Sequence, residues 1–412
     1  MTSDPILLQN PELNLTGWGW IRKRILQQFA GISAGRLRVL FDDGRSECLS
    51  GDREGPEAEI RIHKPLAFAR SVTLGGDLGF GESYMRREWS SDDLSGLLHL
   101  LSSNLDELRD SERRSLPVRA LGRLRHALNH NSLRGSRRNI ASHYDLGNAF
   151  YARWLDPSMS YSAAIFEGGD DLFDAQQRKY QRMLDLIDPE PGAHILEIGC
   201  GWGGFAEYAA RRGLRVTGIT LSREQFDFAR ARVRDAGLQD RVEILLRDYR
   251  HLRGEYDHIV SIEMFEAVGQ RYWQTYFDSV AARLRPGGRA AFQIITIRED
   301  LFERYVSEAG GFIQKYIFPG GMLPSERHLN AHAAAAGLSA CSMERFGEDY
   351  ADTLAEWHAN FAGETAWLEE HGYDERFRRM WAYYLAFCEA GFRDGRIDLV
   401  HFSVAREARC AS

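Results

Sequence analysis

The spacing of hydrophobic and polar residues changes along this chain near residue 139. Before that point, helical spacing over residues 18–29 and 80–105, strand-like alternation over residues 58–63 and an Asp43-Gly44 turn after residues 37–41 predict a small α+β unit. After it, segments of helical spacing separate six apolar runs, at residues 194–198, 214–219, 242–246, 257–262, 289–296 and 397–405. This alternation predicts a doubly wound, Rossmann-like α/β domain with a parallel sheet, and helical insertions near 301–335 and 351–395 that would form a lid.

A glycine-rich segment follows the first apolar run. It reads Glu197-Ile-Gly-Cys-Gly-Trp-Gly-Gly204 and precedes a predicted helix over 205–212. Glycines let the backbone turn tightly and approach a ligand, and a helix start offers free N–H groups. The segment therefore favours an adenosine-containing cofactor, with Glu197 placed for the ribose hydroxyls. A ligand-free turn and an NAD site are alternatives, because Gly199, Gly201 and Gly204 also fit G-x-G-x-x-G.

The next predicted strand separates the two cofactors. An NAD site expects an acid about 20 residues beyond the glycines, but no Asp or Glu occurs between Glu207 and Glu224. The segment that ends at Gln225 reads Thr-Leu-Ser-x-x-Gln instead. This pattern disfavours NAD and favours S-adenosylmethionine.

Composition narrows the class of protein further. The 412 residues suffice for two domains, and 44% hydrophobic with 27% charged residues is ordinary for a globular chain. A net charge of −7 argues against nucleic acid as a partner. Five scattered cysteines without a C-x-x-C pair argue against a metal site and a disulfide framework, and no apolar run reaches 18 residues. We therefore expect a cytoplasmic protein.

One segment departs from the acidic character of the chain. Residues 113–138 contain eight arginines and no acid, with leucines interleaved. A solvated linker helix is one interpretation of this pattern. The other is a patch that docks on an anionic membrane surface, where each basic residue adds about 1 kcal/mol.

Further motifs occur in order along the chain, and they identify a family. They are His143-Tyr-Asp-Leu-Gly-Asn148, Leu196-Glu-Ile-Gly-Cys-Gly-Trp-Gly-Gly204, Thr220-Leu-Ser222, Asp248-Tyr-Arg250, Met264-Phe-Glu266 and Asp349-Tyr350. On these motifs the chain resembles the cyclopropane-fatty-acyl-phospholipid synthases and the related mycolic acid cyclopropane synthases. The resemblance implies a class I methyltransferase that moves a methyl group from S-adenosylmethionine to the double bond of an unsaturated acyl chain in a phospholipid.

The resemblance also implies an organisation and a site. We expect an N-terminal α+β lipid-docking domain over 1–108, a basic linker over 109–138 and a methyltransferase domain over 139–412, peripheral at the inner membrane surface and able to form a homodimer. The residues that would line the cofactor site are Tyr161, Ser162, Glu197, Gly199, Gly201, Thr220, Leu221, Gln225, Tyr249 and Arg250. The residues that would take part in catalysis are Tyr144, Glu263, Glu266, Gln293 and Tyr350.

The chain departs from the family pattern where the base is held. The synthases use a bound bicarbonate, held by a Cys, a His, a Glu and a Tyr. In this chain Ala163 stands at the Cys position, Gln293 at the His position, and Glu263 where the pattern has Gly. Two products stay open: a cyclopropane chain made with bicarbonate, or a methyl-branched or methylene-substituted chain made with another base. Glu263 is the candidate for that base, and an acid that only supports the site is the alternative role for it. A lipid-binding paralogue without catalysis is a further alternative, which the intact cofactor residues and Glu266 disfavour.

Overall fold

The computed structural model describes residues 17–112, 146–307 and 310–407. The chain divides into two compact units, Met1–Val118 and Arg119–Ser412. Tyr144 and the arginine-rich segment 113–138 lie outside the described residues, so their predicted roles stay predictions. Within the described ranges, no helix is long and apolar enough to cross a membrane.

The first unit combines a four-stranded sheet with helices. The elements are α1 Gly17–Gln28, β1 Ala34–Phe41, β2 Ser46–Ser50, β3 Arg53–Ile62, α2 Pro65–Met85, β4 Trp89–Ser90, α3 Leu94–Ser103 and α4 Leu105–Glu112. The strand order is β2-β1-β3-β4, with β1 and β3 parallel and the other pairs antiparallel.

The continuous helical segment predicted over residues 80–105 is wrong. Helix α2 ends at Met85, Arg87 adopts a φ of 55°, and the buried Trp89 then pairs with β3. A new helix begins after Asp93, whose carboxylate accepts a hydrogen bond from the Gly96 N–H at 2.8 Å. Helical spacing alone does not reveal such an interruption, because apolar residues recur at helical intervals on both sides of it.

The second unit contains a mixed, seven-stranded sheet among its described residues. The strands are β5 His194–Ile198, β6 Arg215–Thr220, β7 Val242–Leu246, β8 Tyr256–Ile262, β9 Leu284–Ile297, β10 Ser339–Arg345 and β11 Ile397–Ala405, in the order β10-β11-β9-β8-β5-β6-β7. Strands β5 to β9 run parallel, as predicted, whereas β11 and β10 are antiparallel to their neighbours. Strand β10 was not predicted, because its side chains are mostly exposed and lack an apolar alternation.

Helices cover both faces of this sheet, and one apolar cluster lies between the sheet and the helices on each face. The helices of this unit are α5 Asn148–Tyr151, α6 Leu172–Ile187, α7 Gly204–Arg211, α8 Arg223–Asp235, α9 Trp273–Arg283, α10 Glu299–Ser307, α11 Phe312–Tyr316, α12 Glu326–Ala335, α13 Gly347–Gly363, α14 Thr365–Glu370 and α15 Glu375–Arg393. Helices α10–α12 and α13–α15 correspond to the two predicted insertions. This is the Rossmann-like α/β fold expected of a class I methyltransferase. Its strand order reverses between β5 and β8, and ligands bind at such a point, beyond the carboxyl ends of the strands.

Candidate active site

The glycine-rich turn lies at the carboxyl end of β5, beside this reversal. Gly199, Gly201 and Gly203 have φ values of 87°, 50° and 85°, in the region that favours glycine. The N–H groups of Gly199 and Cys200 donate to the Ile219 carbonyl at 3.0 and 2.9 Å, which fastens the turn to β6. A Cβ on Gly201 would meet nothing within 4 Å. The turn is therefore both fixed and open on the side of Gly201.

Glu197 offers a buried carboxyl group next to this turn. The residue is 3% exposed, and its Oε2 has no hydrogen-bond partner among the described residues. Desolvation raises the pKa of Glu197 to about 8, although the charge of Lys179 opposes the shift. Leaving a buried polar atom unpaired costs about 1–3 kcal/mol. Ribose hydroxyls would satisfy this carboxyl group, so the residues present fit an adenosine-containing cofactor.

The Thr-Leu-Ser-x-x-Gln segment connects β6 to α8. The Ser222 hydroxyl caps α8 by accepting from the Gln225 N–H at 3.3 Å, and the Thr220 hydroxyl donates to the Gln225 side chain at 2.8 Å. These three side chains are buried, while Leu221 is partly exposed. Part of this motif is therefore explained by its structural role, which is to start helix α8.

The third cofactor segment follows β7. Asp248 is 2% exposed and accepts two side-chain hydrogen bonds from Arg250, at 2.9 and 2.7 Å. Burial by itself would raise the pKa of Asp248, but the hydrogen bonds and charge of Arg250 outweigh it and lower the pKa. The Arg250 guanidinium lies 5.5 Å from the Tyr249 ring centre. Arg250 is thus held by Asp248, and the Tyr249 ring is held beside it.

Tyr161 and Ser162 lie in a loop that aromatic rings enclose. The Tyr161 hydroxyl is 2.7 Å from that of Tyr384, and its ring centre lies 5.5 Å from Trp154 and 5.3 Å from Trp357. Ser162 is buried and accepts a hydrogen bond from Lys179 at 2.8 Å. Aromatic faces attract cations, so this enclosure suits a positively charged centre.

Three of the predicted catalytic residues form one hydrogen-bonded cluster around Glu263. Its Oε1 accepts from the Ala163 N–H at 2.8 Å and from the Gln293 side-chain amide at 2.7 Å. Its Oε2 accepts from the Tyr350 hydroxyl at 2.6 Å. Gln293 lies within β9 and not beyond its end, so its side chain reaches the cluster from inside the sheet. We name Ala163, Glu263, Gln293 and Tyr350 the Glu263 cluster.

The backbone at Glu263 is strained. Its φ is 47°, a value that non-glycine residues adopt uncommonly and at a cost of about 1–3 kcal/mol. Such strain persists where surrounding contacts fix the residue, and it concentrates at functional sites. A glycine would adopt this backbone freely, so the carboxylate is retained here against the local conformational preference.

Comparisons with known proteins show to which family the chain belongs. The family described as mycolic acid cyclopropane synthetase matches residues 131–402. The chain belongs to this family. It is 41% identical over 383 residues to the tuberculostearic acid methyltransferase UfaA1 of Mycobacterium tuberculosis, covering 90% of this chain and 88% of that protein. It is 39% identical over 348 residues to the cyclopropane-fatty-acyl-phospholipid synthase of Escherichia coli, covering 83% and 86%.

A solved structure agrees with this assignment. The mycolic acid cyclopropane synthase CmaA1, in complex with SAH and CTAB, matches with a TM-score of 0.61 and 29% identity, over 65% of this chain and 97% of that one. The predicted family and fold are thereby confirmed. The protein is an S-adenosylmethionine-dependent methyltransferase of the cyclopropane-fatty-acyl-phospholipid synthase type.

Glu266 of this methyltransferase stands apart from the Glu263 cluster in its hydrogen bonds. Its Oε1 accepts from the Ile295 N–H at 2.6 Å, and its Oε2 is buried without a hydrogen-bond partner among the described residues. Desolvation and then the charge of Glu263 raise the pKa of Glu266 to about 8. Burial beside a second carboxyl group therefore favours the protonated form of Glu266.

Two further residues of the methyltransferase reach the site, although no motif singles them out. Lys179 is fully buried and donates to Ser162 and to Gln176, and desolvation lowers its pKa to about 8. His401 is fully buried and its Nε2 lies 2.8 Å from Gln293 Oε1. A signal existed for each in the sequence: Lys179 falls on the apolar face of α6, and His401 interrupts an apolar strand.

Proposed function

We propose that this enzyme transfers a methyl group to the double bond of an unsaturated phospholipid acyl chain and uses Glu263, in place of bicarbonate, as the base. The product is a methyl-branched or methylene-substituted chain. S-adenosylmethionine supplies the methyl group as an electrophile when it is bound. The alkene electrons would form a C–C bond to this methyl carbon as its C–S bond breaks, with the electron pair of that bond staying on the sulfur of the leaving thioether. The other alkene carbon becomes a carbocation, and loss of a C–H proton to Glu263 restores a double bond.

The hydrogen bonds of Glu263 carry this proposal. The family resemblance assigns a bound bicarbonate to the Cys, His and Tyr positions, which are Ala163, Gln293 and Tyr350 in this chain. In the structure those three residues all donate to the Glu263 carboxylate. A carboxylate presents two oxygens as bicarbonate does, and a second anion beside it would be repelled. The donors thus serve a base that is part of the chain.

The protonation state of Glu263 fits this role. Desolvation raises the pKa of Glu263 above its ordinary value, and the hydrogen bonds from Tyr350, Ala163 and Gln293 and the charge of Lys179 offset only part of this shift. The donors favour the ionised form, and partial burial makes that form a stronger base than a carboxylate in water. A base of this kind suits removal of a proton from a carbocation.

The remaining site residues take positioning roles under this proposal. Glu197 holds the ribose, the turn at Gly199 and Gly201 admits the adenosine portion, and Thr220, Leu221, Gln225, Tyr249 and Arg250 line its other sides. The aromatic enclosure at Tyr161 and Ser162 holds the sulfonium and the developing carbocation. Water exclusion matters, since water would otherwise trap the carbocation.

Cyclopropane formation is the second candidate. The E. coli relative favours it, because that protein is a cyclopropane-fatty-acyl-phospholipid synthase at 39% identity. The more similar relative at 41% is instead a tuberculostearic acid methyltransferase, a name that describes methyl transfer without a cyclopropane. Together with the Glu263 cluster, this supports the branched product.

Replacing Glu263 with glycine separates the two candidates. Glu263→Gly removes the carboxylate and relieves the φ of 47°, which offsets part of the loss of three hydrogen bonds. The variant should therefore stay folded while turnover drops about 100-fold or more, as expected for loss of a general base. Asp188→Gly is the matched control, because Asp188 has a φ of 48° and lies on the exposed end of α6. Methyl transfer from labelled cofactor into unsaturated phospholipid measures both variants, and a fully active Glu263→Gly would contradict the proposal.

Bicarbonate provides the second arm of this test. The natural enzyme should show no stimulation by added bicarbonate, and mass spectrometry of its lipids should find branched chains. Adding Ala163→Cys and Gln293→His to Glu263→Gly should create a bicarbonate-dependent activity that yields cyclopropane lipid. A natural enzyme that bicarbonate stimulates strongly and that makes only cyclopropane lipid would rule out Glu263 as the base.

A further inference from the structure

A histidine lies directly behind the Glu263 cluster. Strands β9 and β11 are antiparallel neighbours, and His401 is the register partner of Gln293. Both side chains are fully buried, and His401 Nε2 is 2.8 Å from Gln293 Oε1. His401 therefore contacts the amide that holds the proposed base, without contacting Glu263 itself by a hydrogen bond.

The contacts of Gln293 determine which way its amide points. Its nitrogen lies 3.2 Å from the Ala163 carbonyl oxygen and 2.7 Å from Glu263 Oε1. Both of these atoms are acceptors, so this end of the amide must be the NH₂ group. The opposite end is then the carbonyl oxygen, which can only accept. His401 must consequently carry its hydrogen on Nε2 and donate it to Gln293.

The surroundings of His401 keep it in this neutral form. Its Nδ1 is buried without a hydrogen-bond partner among the described residues, and the Phe346 ring centre lies 4.5 Å from the imidazole. Desolvation, followed by the charges of Arg182 and Lys179, lowers the pKa of His401 to about 3. A neutral imidazole with one N–H has a fixed donor, and that donor faces Gln293.

We propose that His401 is a positioning residue, which acts through Gln293 to fix the Glu263 carboxylate for proton removal. An amide has two orientations of similar shape, related by a half-turn about its terminal bond. The turned orientation would set Gln293 Oε1 against the Ala163 carbonyl and Glu263 Oε1 and place its NH₂ against the His401 N–H. These opposed contacts make the turned state costly, so His401 selects the orientation that donates to Glu263. This inference rests on the proposed role of Glu263.

His401→Phe tests the inference. Phenylalanine keeps a ring against Phe346 but removes the donor, so turnover should fall about 10- to 100-fold because the base loses its fixed position. The dissociation constant for S-adenosylmethionine should stay unchanged, since no cofactor residue contacts His401 by a hydrogen bond. His401→Gln offers an amide N–H to Gln293 and should recover most of the turnover. Ser403→Ala is the control, because it removes a buried hydroxyl from the same strand away from Gln293.

A double-mutant cycle with Gln293→Leu distinguishes positioning from general support of the fold. If His401 acts through Gln293, His401→Phe should cost little further turnover once Gln293→Leu is present, because coupled residues are non-additive. Multiplicative losses in the double variant would overturn the inference. His401→Leu takes the place of His401→Phe if that protein does not fold. Failure of both to fold, with Ser403→Ala folded, would assign His401 a structural role instead.

The results that would contradict the proposed function differ from those that would contradict the positioning role of His401. If Glu263→Gln retains the turnover of the natural enzyme, Glu263 is not the base, and the role of His401 falls with it. If Glu263→Gln is inactive and the His401 and Gln293 losses multiply, the proposed function stands and the positioning role alone is wrong. The two outcomes can be told apart in one set of single-turnover measurements.

Discussion

At the scale of single residues, the site is a set of buried acids whose environments differ. Glu263 accepts three hydrogen bonds, so its ionised form is supported. Glu266 accepts one backbone hydrogen bond and faces the charge of Glu263, and its pKa rises to about 8. Burial raises the pKa of both acids, although the hydrogen bonds of Glu263 oppose its shift, and perturbed acids that lie together in this way are typical of a functional site.

The raised pKa of Glu266 predicts a pH dependence of stability. Its pKa in the folded protein, about 8, exceeds the ordinary value of 4.5, so its contribution is fully present below about pH 4.5 and is lost as the pH rises through about 8. Glu266→Gln imitates the protonated form and cannot titrate. The free energy of unfolding of this variant should therefore improve relative to the natural protein between pH 6 and pH 9.

Denaturant unfolding across this pH range measures the effect. Glu348→Gln is the control, because it removes an exposed acid from the start of α13. A difference between Glu266→Gln and the natural protein that stays constant from pH 6 to pH 9 would show that Glu266 is already ionised in the folded state at pH 6, which would contradict a raised pKa.

At the scale of elements, the strand–turn–helix unit of β5 and α7 forms the edge of the sheet at which we propose that the cofactor binds, and we name it the cofactor edge. Its shape depends on glycines with positive φ, and hydrogen bonds to the Ile219 carbonyl join it to β6. Lys179 of α6 donates to Ser162, and its charge acts on both Glu197 and Glu263. Helix α6 thereby connects the cofactor edge with the Glu263 cluster.

Gly201→Val tests the turn as the cofactor site. Valine would extend into the open space beside Gly201. The affinity for S-adenosylmethionine should therefore fall strongly, while the unfolding temperature should fall only slightly. A positive φ also strains valine, and Gly237→Val supplies the matched control. Gly237 has a φ of 68° and open space beside it, in the loop between α8 and β7. Calorimetric titration measures the affinity of both variants for S-adenosylmethionine. Normal cofactor affinity in folded Gly201→Val would place the cofactor elsewhere.

At the scale of the whole molecule, the phospholipid substrate that we propose must be drawn from a lipid phase. The protein belongs to a family with a phospholipid-modifying relative, and the described residues contain no membrane-spanning helix. We propose that the arginines of residues 113–138 provide the contact with anionic lipid. Their charge is a property of the sequence, whatever conformation the segment adopts.

Replacing Arg119, Arg123 and Arg125 with glutamine should weaken binding to anionic vesicles and leave cofactor affinity unchanged. The binding of the natural protein should fall with added salt, because exposed charges are screened beyond about 10 Å at 0.1 M. The control replaces three exposed arginines of the second unit, Arg211, Arg234 and Arg241, with glutamine. Vesicle sedimentation compares the two triple variants, and equal binding by both would leave residues 113–138 as a linker.

The sequence by itself determined the family, the fold class and the nature of the cofactor. These follow from local patterns: apolar runs of strand length, a glycine turn between a strand and a helix, and the absence of an acid after the next strand. Such patterns can be read from the sequence because they depend on residues that lie near one another in the chain. Even so, the interruption of the helix after Met85 and the exposed strand β10 escaped prediction, since pairing with distant strands decides both.

Only the tertiary structure decided how the candidate base is held. Ala163, Glu263, Gln293 and Tyr350 are far apart in the chain, and the sequence alone named Glu263 as a candidate base without showing which groups hold it. The fold brings their donors onto one carboxylate, gives Glu263 a strained φ, and places His401 behind Gln293 through the register of β9 and β11. Hydrogen bonds across long sequence separations depend on chain packing, and no local pattern encodes that packing.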